Sequence, residues 1–328
     1  MNILFILDPL AKLKAYKDSS VATMRTLAKR GHAIYACEVG ELAALGNNSG
    51  DESGSEAQVA SFTFARKISL FGDNKKWYAE EAPARMPLTA FDAVMMRKDP
   101  PFDMEYVIAT YVLELAERAG VRVFNKPQSI RDFNEKAAIL RFPQFIAPTM
   151  VARQPAALQS FIDEHRDVIL KPLDGMGGAS VFRVRADDPN RNVIIETLNG
   201  FGARSVMAQR FIPAIRDGDK RVLIIGGRVV PFALARIPKA GETRGNLAAG
   251  GSGVAMPLTK REAEIAEALA PSLWDAGLLI VGLDLIGGFL TEVNVTSPTC
   301  FVEITAQTGF DAAGLLADRL EEIATGGR

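Results

Sequence analysis

Apolar and polar positions in the first third of the chain alternate between two rhythms. Residues 2–7 form a continuous apolar run, as in a strand buried on both faces. Ser19 or Ser20 then caps a helix with Val21, Met24, Leu27 and Ala28 on one face and Gly31 as its stop. Strands are predicted at 33–39 and Phe91–Met96. A helix follows from about Met104 to Arg118, closed by Gly120, and then a strand at 121–125. This alternation predicts an α/β domain over residues 1–126, a parallel sheet with helices on its faces. Residues 46–56 interrupt it without one apolar side chain, so a solvated loop is expected there.

Beyond Lys126-Pro127 the rhythm changes. Helices are predicted at 129–140 and 155–165, with a strand near 148–153 between them. From 168 the chain turns strand-rich, with 168–171, 180–184, 205–212 and a hairpin of 220–226 and 228–237. A helix at 259–275 carries Ile265, Ala266, Leu269 and Leu273 on one face. Strands at 278–286 and 289–295 and a helix at 311–323 close the chain, and there is no internal repeat.

At 328 residues the chain is long enough for two or three domains. Its 38 basic and 39 acidic residues leave a net charge of −1, which argues against bulk nucleic-acid binding. Cys37, Cys300, His32 and His165 are too few and too scattered for a zinc site, and a reduced chain is expected. No apolar run reaches the ~20 residues of a membrane span, and no basic region precedes residues 2–7. A cytoplasmic protein with neither nucleic acid nor membrane as partner is expected. There is no Gly-Lys dipeptide, no G-x-G-x-x-G turn after the first strand and no G-x-S-x-G elbow.

Three stretches carry chemistry. The first is KPLDGMGGAS, from Lys171 to Ser180, after the apolar Val168–Leu170. Its glycines let backbone N–H groups approach a ligand, and a lysine entering the turn suits phosphate. The second is LDLIGGFLTEVNVTSP, from Leu283 to Pro298. Glu292 and Asn294 share one face of a strand, and carboxylate and amide oxygens are hard ligands suited to magnesium. A two-residue Gly287-Gly288 loop places Asp284 opposite Thr291, facing away. A three-residue loop, 287–289, pairs Asp284 with Glu292 and is the expected arrangement. The third is 210–244, with eight basic residues against three acidic ones. There Arg221 and Arg236 sit on adjoining strands, where they can converge on an anion. Lys17-Asp18-Ser19-Ser20 opens a helix, and Arg97 ends a parallel strand, where α/β sheets place their ligands.

Together these features resemble the ATP-grasp ligases. The similarity extends to MRKDPPFD (96–103), NKPQSIRDFNEK (125–136), ILKPLDGMGGAS (169–180), DGDKRVL (217–223), LARIP (234–238), GETRGNLAAGG (241–251) and TEVNVTSPTC (291–300), a set like that of the bacterial glutathione synthetase family. The resemblance implies three parts: an N-terminal α/β domain (1–126), a small middle domain (127–204) and a C-terminal catalytic domain with an antiparallel sheet (205–328). It implies ligation of γ-glutamylcysteine to glycine with ATP and Mg2+ or Mn2+, commonly in a homotetramer. Another carboxylate–amine ligase, for peptides or D-alanine, is the alternative, and GETRGNLAAGG argues against it. By resemblance Lys136 and Lys171 hold ATP phosphates, Gly175, Met176, Gly177 and Gly178 cover them, and Gln209, Arg210, Phe211 and Ile212 line the adenine pocket. Asp219 lies near the ribose. Asp284, Glu292 and Asn294 match the metal ligands, and Arg221, Arg236 and Arg244 the catalytic arginines. Ser19, Ser20, Arg97, Ser297 and Thr299 are the expected substrate contacts. The glycine-rich 238–253, with Lys239 and Arg244, reads as a lid over the reacting groups.

Overall fold

A computed structural model describes residues 1–47, 58–238 and 252–326. The polar 46–56 stretch, apart from its first two residues, lies outside these, as do Lys239 and Arg244 of the expected lid.

The N-terminal sheet has a parallel centre and an antiparallel wing. β1 (Asn2–Leu7) pairs in parallel with β2 (Ala33–Glu38) across α1 (Ser19–Lys29). The wing is β3 (Leu42–Asn47), β4 (Gln58–Leu70), β5 (Tyr78–Glu80) and β6 (Ala84–Pro87). The long β4 joins it to β2 antiparallel, and this wing was not predicted. On the other side β1 pairs with β7 (Ala93–Met96). Beyond α2 (Met104–Arg118), β7 pairs with the short β8 (Val123–Phe124). Asp18 and Asp103 cap α1 and α2, each accepting a backbone N–H, from Val21 and Tyr106. Both helices begin as expected, with the cap at Asp18 rather than at either serine.

The predicted 129–140 helix is two pieces, α3 (Pro127–Asp132) and a 3₁₀ turn (Ala137–Arg141). Asn134 breaks it: Oδ1 accepts from the backbone of Lys136 and Ala137, competing with the helix ladder. The middle sheet has the order β11-β10-β12-β9, all antiparallel. It comprises β9 (Thr149–Ala152), β10 (Asp167–Pro172), β11 (Phe182–Arg185) and β12 (Val206–Arg210), packed on α4 (Pro155–His165) and α5 (Arg191–Asn199). The division expected at 204/205 falls just before β12, which belongs to this sheet.

The last sheet runs β15-β14-β13-β16-β17, also antiparallel. Its strands are β13 (Asp219–Ile225), β14 (Arg228–Ile237), β15 (Ser252–Pro257), β16 (Ile280–Ile286) and β17 (Phe289–Asn294). α6 (Lys260–Asp275) covers one face, and α7 (Phe301–Thr308) and α8 (Ala312–Ala324) the other. One apolar cluster runs from Ile3 and Phe5 through Leu223 and Leu234 to Phe301 and Leu316, so the first and last sheets share a core. Among the described residues no helix is long and apolar enough to cross a membrane.

Candidate active site

Two adjoining cavities open between the middle and last sheets. The first is lined by Lys136, Lys171, Gly175–Ala179, Gln209–Ile212, Asp219, Asp284 and Glu292. Every residue expected to bind nucleotide is therefore on its wall. Lys171 stands one residue before the end of β10 and Lys136 follows the Asn134 break, which brings both ammonium groups together although they are far apart in sequence. Each Nζ lies 3.7 Å from Glu292 Oε1. Lys136 also donates to the Gly175 carbonyl and Lys171 to the Thr291 carbonyl, at 3.3 Å for the latter. Burial pushes the Lys171 pKa down, partly offset by Glu292. Phe211 is steadied by Arg183, whose guanidinium stacks 3.6 Å from the ring centre while pairing with Asp167.

The hairpin β16–β17 delivers the carboxylates by a route other than the expected one. Its loop is two residues, Gly287 and Gly288, with φ of 57° and 77°, both in the left-handed region that glycine tolerates. Leu285 therefore pairs with Leu290, yet Asp284 still pairs with Glu292. A bulge between them absorbs one residue, Thr291, whose hydroxyl donates to the Asp284 carbonyl at 3.0 Å. The expected pairing holds, and the expected three-residue loop does not.

Asp284 sits at the centre of a buried ion network. Arg221 donates to it twice, Nε to Oδ1 at 2.5 Å and NH2 to Oδ2 at 3.0 Å. Arg236 lies 2.9 Å from Asp284 Oδ2 and 2.6 Å from Asp219 Oδ2. Asp284, Arg221 and Arg236 are 4%, 6% and 6% exposed, so these charges are screened little by solvent. Burial alone works against the Asp284 carboxylate. The two guanidiniums outweigh it and hold its pKa below the ordinary range. For Asp219 burial wins over Arg236, and the pKa rises to about 6. Gly282 makes the network possible: a Cβ there would lie 2.8 Å from Arg221 Cδ and 3.0 Å from Nε. Of the eight basic residues at 210–244, Arg221 and Arg236 converge. Lys220 pairs with Glu262 and Arg228 with Glu322.

Asp284, Glu292 and Asn294 face the second cavity together. An ionised carboxylate has about four acceptor positions, and the arginines occupy three of those on Asp284. Two carboxylates and an amide on one wall are the hard oxygen donors that magnesium takes, with phosphate and water completing the shell. The donor set fits such an ion.

The second cavity continues toward the N-terminal domain, past Lys12, Lys14, Lys17, Asp99 and Glu135 to Ser297, Thr299 and Glu303. It shares Lys136, Gly175–Gly177, Asp284 and Glu292 with the first, so phosphate groups at that seam would meet an acceptor from the other side. Of the expected substrate contacts, Ser297 and Thr299 line this cavity. Ser19, Ser20 and Arg97 line neither cavity, and their polar atoms bond to one another and to the 298–301 backbone. Lys12, Lys14 and Glu303 carry no signal in the sequence, since each stands in an unpatterned turn or a short helix, and Lys17, Asp99 and Glu135 enter it only as members of longer motifs with no role of their own. Cys37 and Cys300 are both free and buried.

The comparisons with known proteins agree with this geometry. The family model described as the prokaryotic glutathione synthetase N-terminal domain matches residues 1–131, and that of the ATP-grasp domain of the same family matches 135–309. A glutathione synthetase of Ralstonia nicotianae is 59% identical over 324 residues, covering 99% of this chain and 96% of that protein. One of Nitrosomonas europaea is 54% identical over 326 residues, covering 98% of each. Among solved structures, D-cycloserine synthetase DcsG superposes with a TM-score of 0.66 at 16% identity, over 98% of this chain and all of that one, a likeness of fold. Since the two family models between them span both the N-terminal sheet and the cleft, the chain belongs to the prokaryotic glutathione synthetases, which are ATP-dependent ligases of the ATP-grasp fold.

Proposed function

We propose that this cleft joins γ-glutamylcysteine to glycine through an acyl phosphate, giving glutathione, ADP and phosphate. The observation that carries the reading is the shared seam, where two buried lysines and two buried arginines flank Asp284 and Glu292 between a nucleotide cavity and an acceptor cavity. A carboxylate oxygen of the cysteinyl residue attacks the γ-phosphorus of ATP, and the bond to the β–γ bridging oxygen breaks, releasing ADP. The glycine nitrogen then attacks the acyl carbon, loses a proton and displaces phosphate.

The first step brings two anions together and the second develops negative charge on the acyl oxygen, so the first task of the protein is to cancel repulsion. Lys136 and Lys171 hold the ATP phosphates, Gly175–Gly178 cover them, and Gln209–Ile212 hold the adenine. Arg221 and Arg236, fixed by Asp284 and Asp219, stabilise the charge developing on the acyl group. Asp284, Glu292 and Asn294 would hold magnesium, or manganese in its place, which would supply charge to neutralise the phosphate oxygens. No protein nucleophile is needed, in keeping with the small histidine and cysteine complement.

Arg244 belongs to the proposed lid at 238–253, which would keep water from the acyl phosphate. The wider assignment is a cytoplasmic homotetramer, with the N-terminal domain ending near 126 and the middle domain extending through β12. The test is mass detection of the tripeptide with ATP, magnesium, γ-glutamylcysteine and glycine. Absence of product overturns the reading, and faster phosphate release with D-alanine pairs favours the other ligase class.

A further inference from the structure

We propose that the connection from the end of β17 to the start of α7, residues 293–301, has two working ends, each set by a positioning residue outside it: Glu135 at the metal end and Arg97 at the acceptor end. This rests on the reading of the cleft given above.

At the first end, Glu135 grips both neighbours of Asn294. Its backbone carbonyl accepts from Val293 N at 2.8 Å. Its Oε1 accepts from Val295 N and Thr296 N, both at 3.0 Å, and from Thr296 Oγ1 at 2.7 Å. Three donors on one carboxylate oxygen is a demanding arrangement that a neutral amide matches less well. Asn294 in turn donates from Nδ2 to the Gly282 carbonyl at 3.1 Å, so its amide is held on both the backbone and the side-chain side. Glu135 thus acts on the metal through Asn294, as residues behind a metal ligand do.

At the second end the grip comes from the N-terminal domain. Arg97 is 6% exposed, and its hydrogen bonds go to neutral oxygens: Nε donates to Ser20 Oγ at 3.1 Å and NH2 to the Pro298 carbonyl at 2.7 Å, while nearby Asp18 and Asp99 favour its charged form. Burying a guanidinium is costly, and these two bonds fix it against the loop. Ser19 Oγ accepts from Phe301 N at 3.2 Å, tying the same helix start to the far end of the loop. Between the two grips, Ser297, Pro298, Thr299 and Cys300 form the acceptor wall.

Two grips on one loop make a separable prediction. Glu135→Gln is set against Arg97→Lys and Ser20→Ala, the serine variant being the mildest should the arginine one fold poorly. Calorimetry reads the affinity of a non-hydrolysable ATP analogue with and without magnesium, and kinetics gives the dipeptide KM and the magnesium activation constant. Glu135→Gln should raise the magnesium constant about tenfold and shrink the gain in analogue affinity that magnesium brings, with dipeptide KM within about twofold. Arg97→Lys and Ser20→Ala should raise dipeptide KM about tenfold, with both magnesium readouts within about twofold of wild type. If both ends move the same constants in the same proportion, or only melting temperature falls, the proposal is wrong. A wild-type enzyme that makes no glutathione instead overturns the functional reading.

Discussion

The nucleotide end and the acceptor end of the cleft hold their cations in different ways. Lys136 and Lys171 share one carboxylate, Glu292, at 3.7 Å, a loose contact that leaves both ammonium groups able to take phosphate. Arg221 and Arg236 are locked to Asp284 and Asp219 at 2.5–2.9 Å. In the proposed reaction the lysines would be recruitable charge, answering a ligand that arrives already anionic. The arginines would be fixed charge, aimed where negative charge develops and needing no reorganisation when it does. A buried fixed network has a structural consequence that a loose one lacks, because removing one member strands the others.

The sharpest way to break this contrast is Arg236→Ala. It leaves Asp219 without its ion-pair partner and Asp284 with one arginine, so stability should fall by ~3–5 kcal/mol and turnover should nearly vanish. Denaturant unfolding at the wild-type midpoint checks it, and an unchanged midpoint would mean the network is not structural. Glu292→Gln should instead lower turnover by about 10²–10³ with the melting temperature kept, since its partners are already loose. Near-normal turnover at saturating magnesium removes Glu292 from the metal site.

Lys171→Ala should raise the ATP KM by about tenfold or more and leave the dipeptide KM nearly unchanged, as expected for one lost charged hydrogen bond. Equal losses for both ligands in calorimetry would contradict a phosphate role. Gly282→Ala sharpens the comparison from the other side. Its methyl displaces Arg221, at a cost of ~1–3 kcal/mol, and turnover should fall while ATP affinity holds. Nucleotide affinity lost in step with turnover would mean the two ends are not independent.

The smallest expected effect is in pH. Asp219 has a raised folded pKa, near 6, so the fold binds that proton more tightly than the unfolded chain does. Its contribution to stability therefore grows as pH falls from about 6 to the usual aspartate range, and is lost above about 6. Asp284 has the opposite sign, its depressed pKa favouring the fold above the ordinary aspartate value. Asp219→Asn should flatten the stability profile between pH 4 and 6 relative to wild type. Identical profiles, with the folds matched by circular dichroism, would place that titration elsewhere.

Much of the nucleotide end could be read from the chain because its parts are contiguous. KPLDGMGGAS runs from the end of β10 through a turn that leads straight into β11, and residues 209–212 are the end of β12 and the two residues after it. α4 and α2 likewise fall at the predicted residues, since an amphipathic stripe with a Pro or Asp start is a local signal. The antiparallel wing on β4 escaped, although Ala60 to Phe64 alternate, because its pairing partners are short and lie on both sides of it.

What the sequence determined by itself, then, is which residue types exist to do the chemistry, and the order of elements that carry them. The tertiary structure decided which of them meet. Ser19, Ser20 and Arg97 have the right composition for an anion site, yet the shared core of the first and last sheets turns them onto the 298–301 backbone. Glu135 lies in the motif at 125–136, yet nothing in that stretch says where its carboxylate points, and the helix break aims it at Val295 and Thr296, remote in sequence. Even the Asp284–Glu292 pairing depended on a bulge at Thr291, since turn type and hydrophobic period set a register only until one extra residue is absorbed. Local physics fixes periodicity and caps over a few residues. The meeting of distant side chains depends on how whole sheets bury their apolar faces, and no short stretch of chain carries that information.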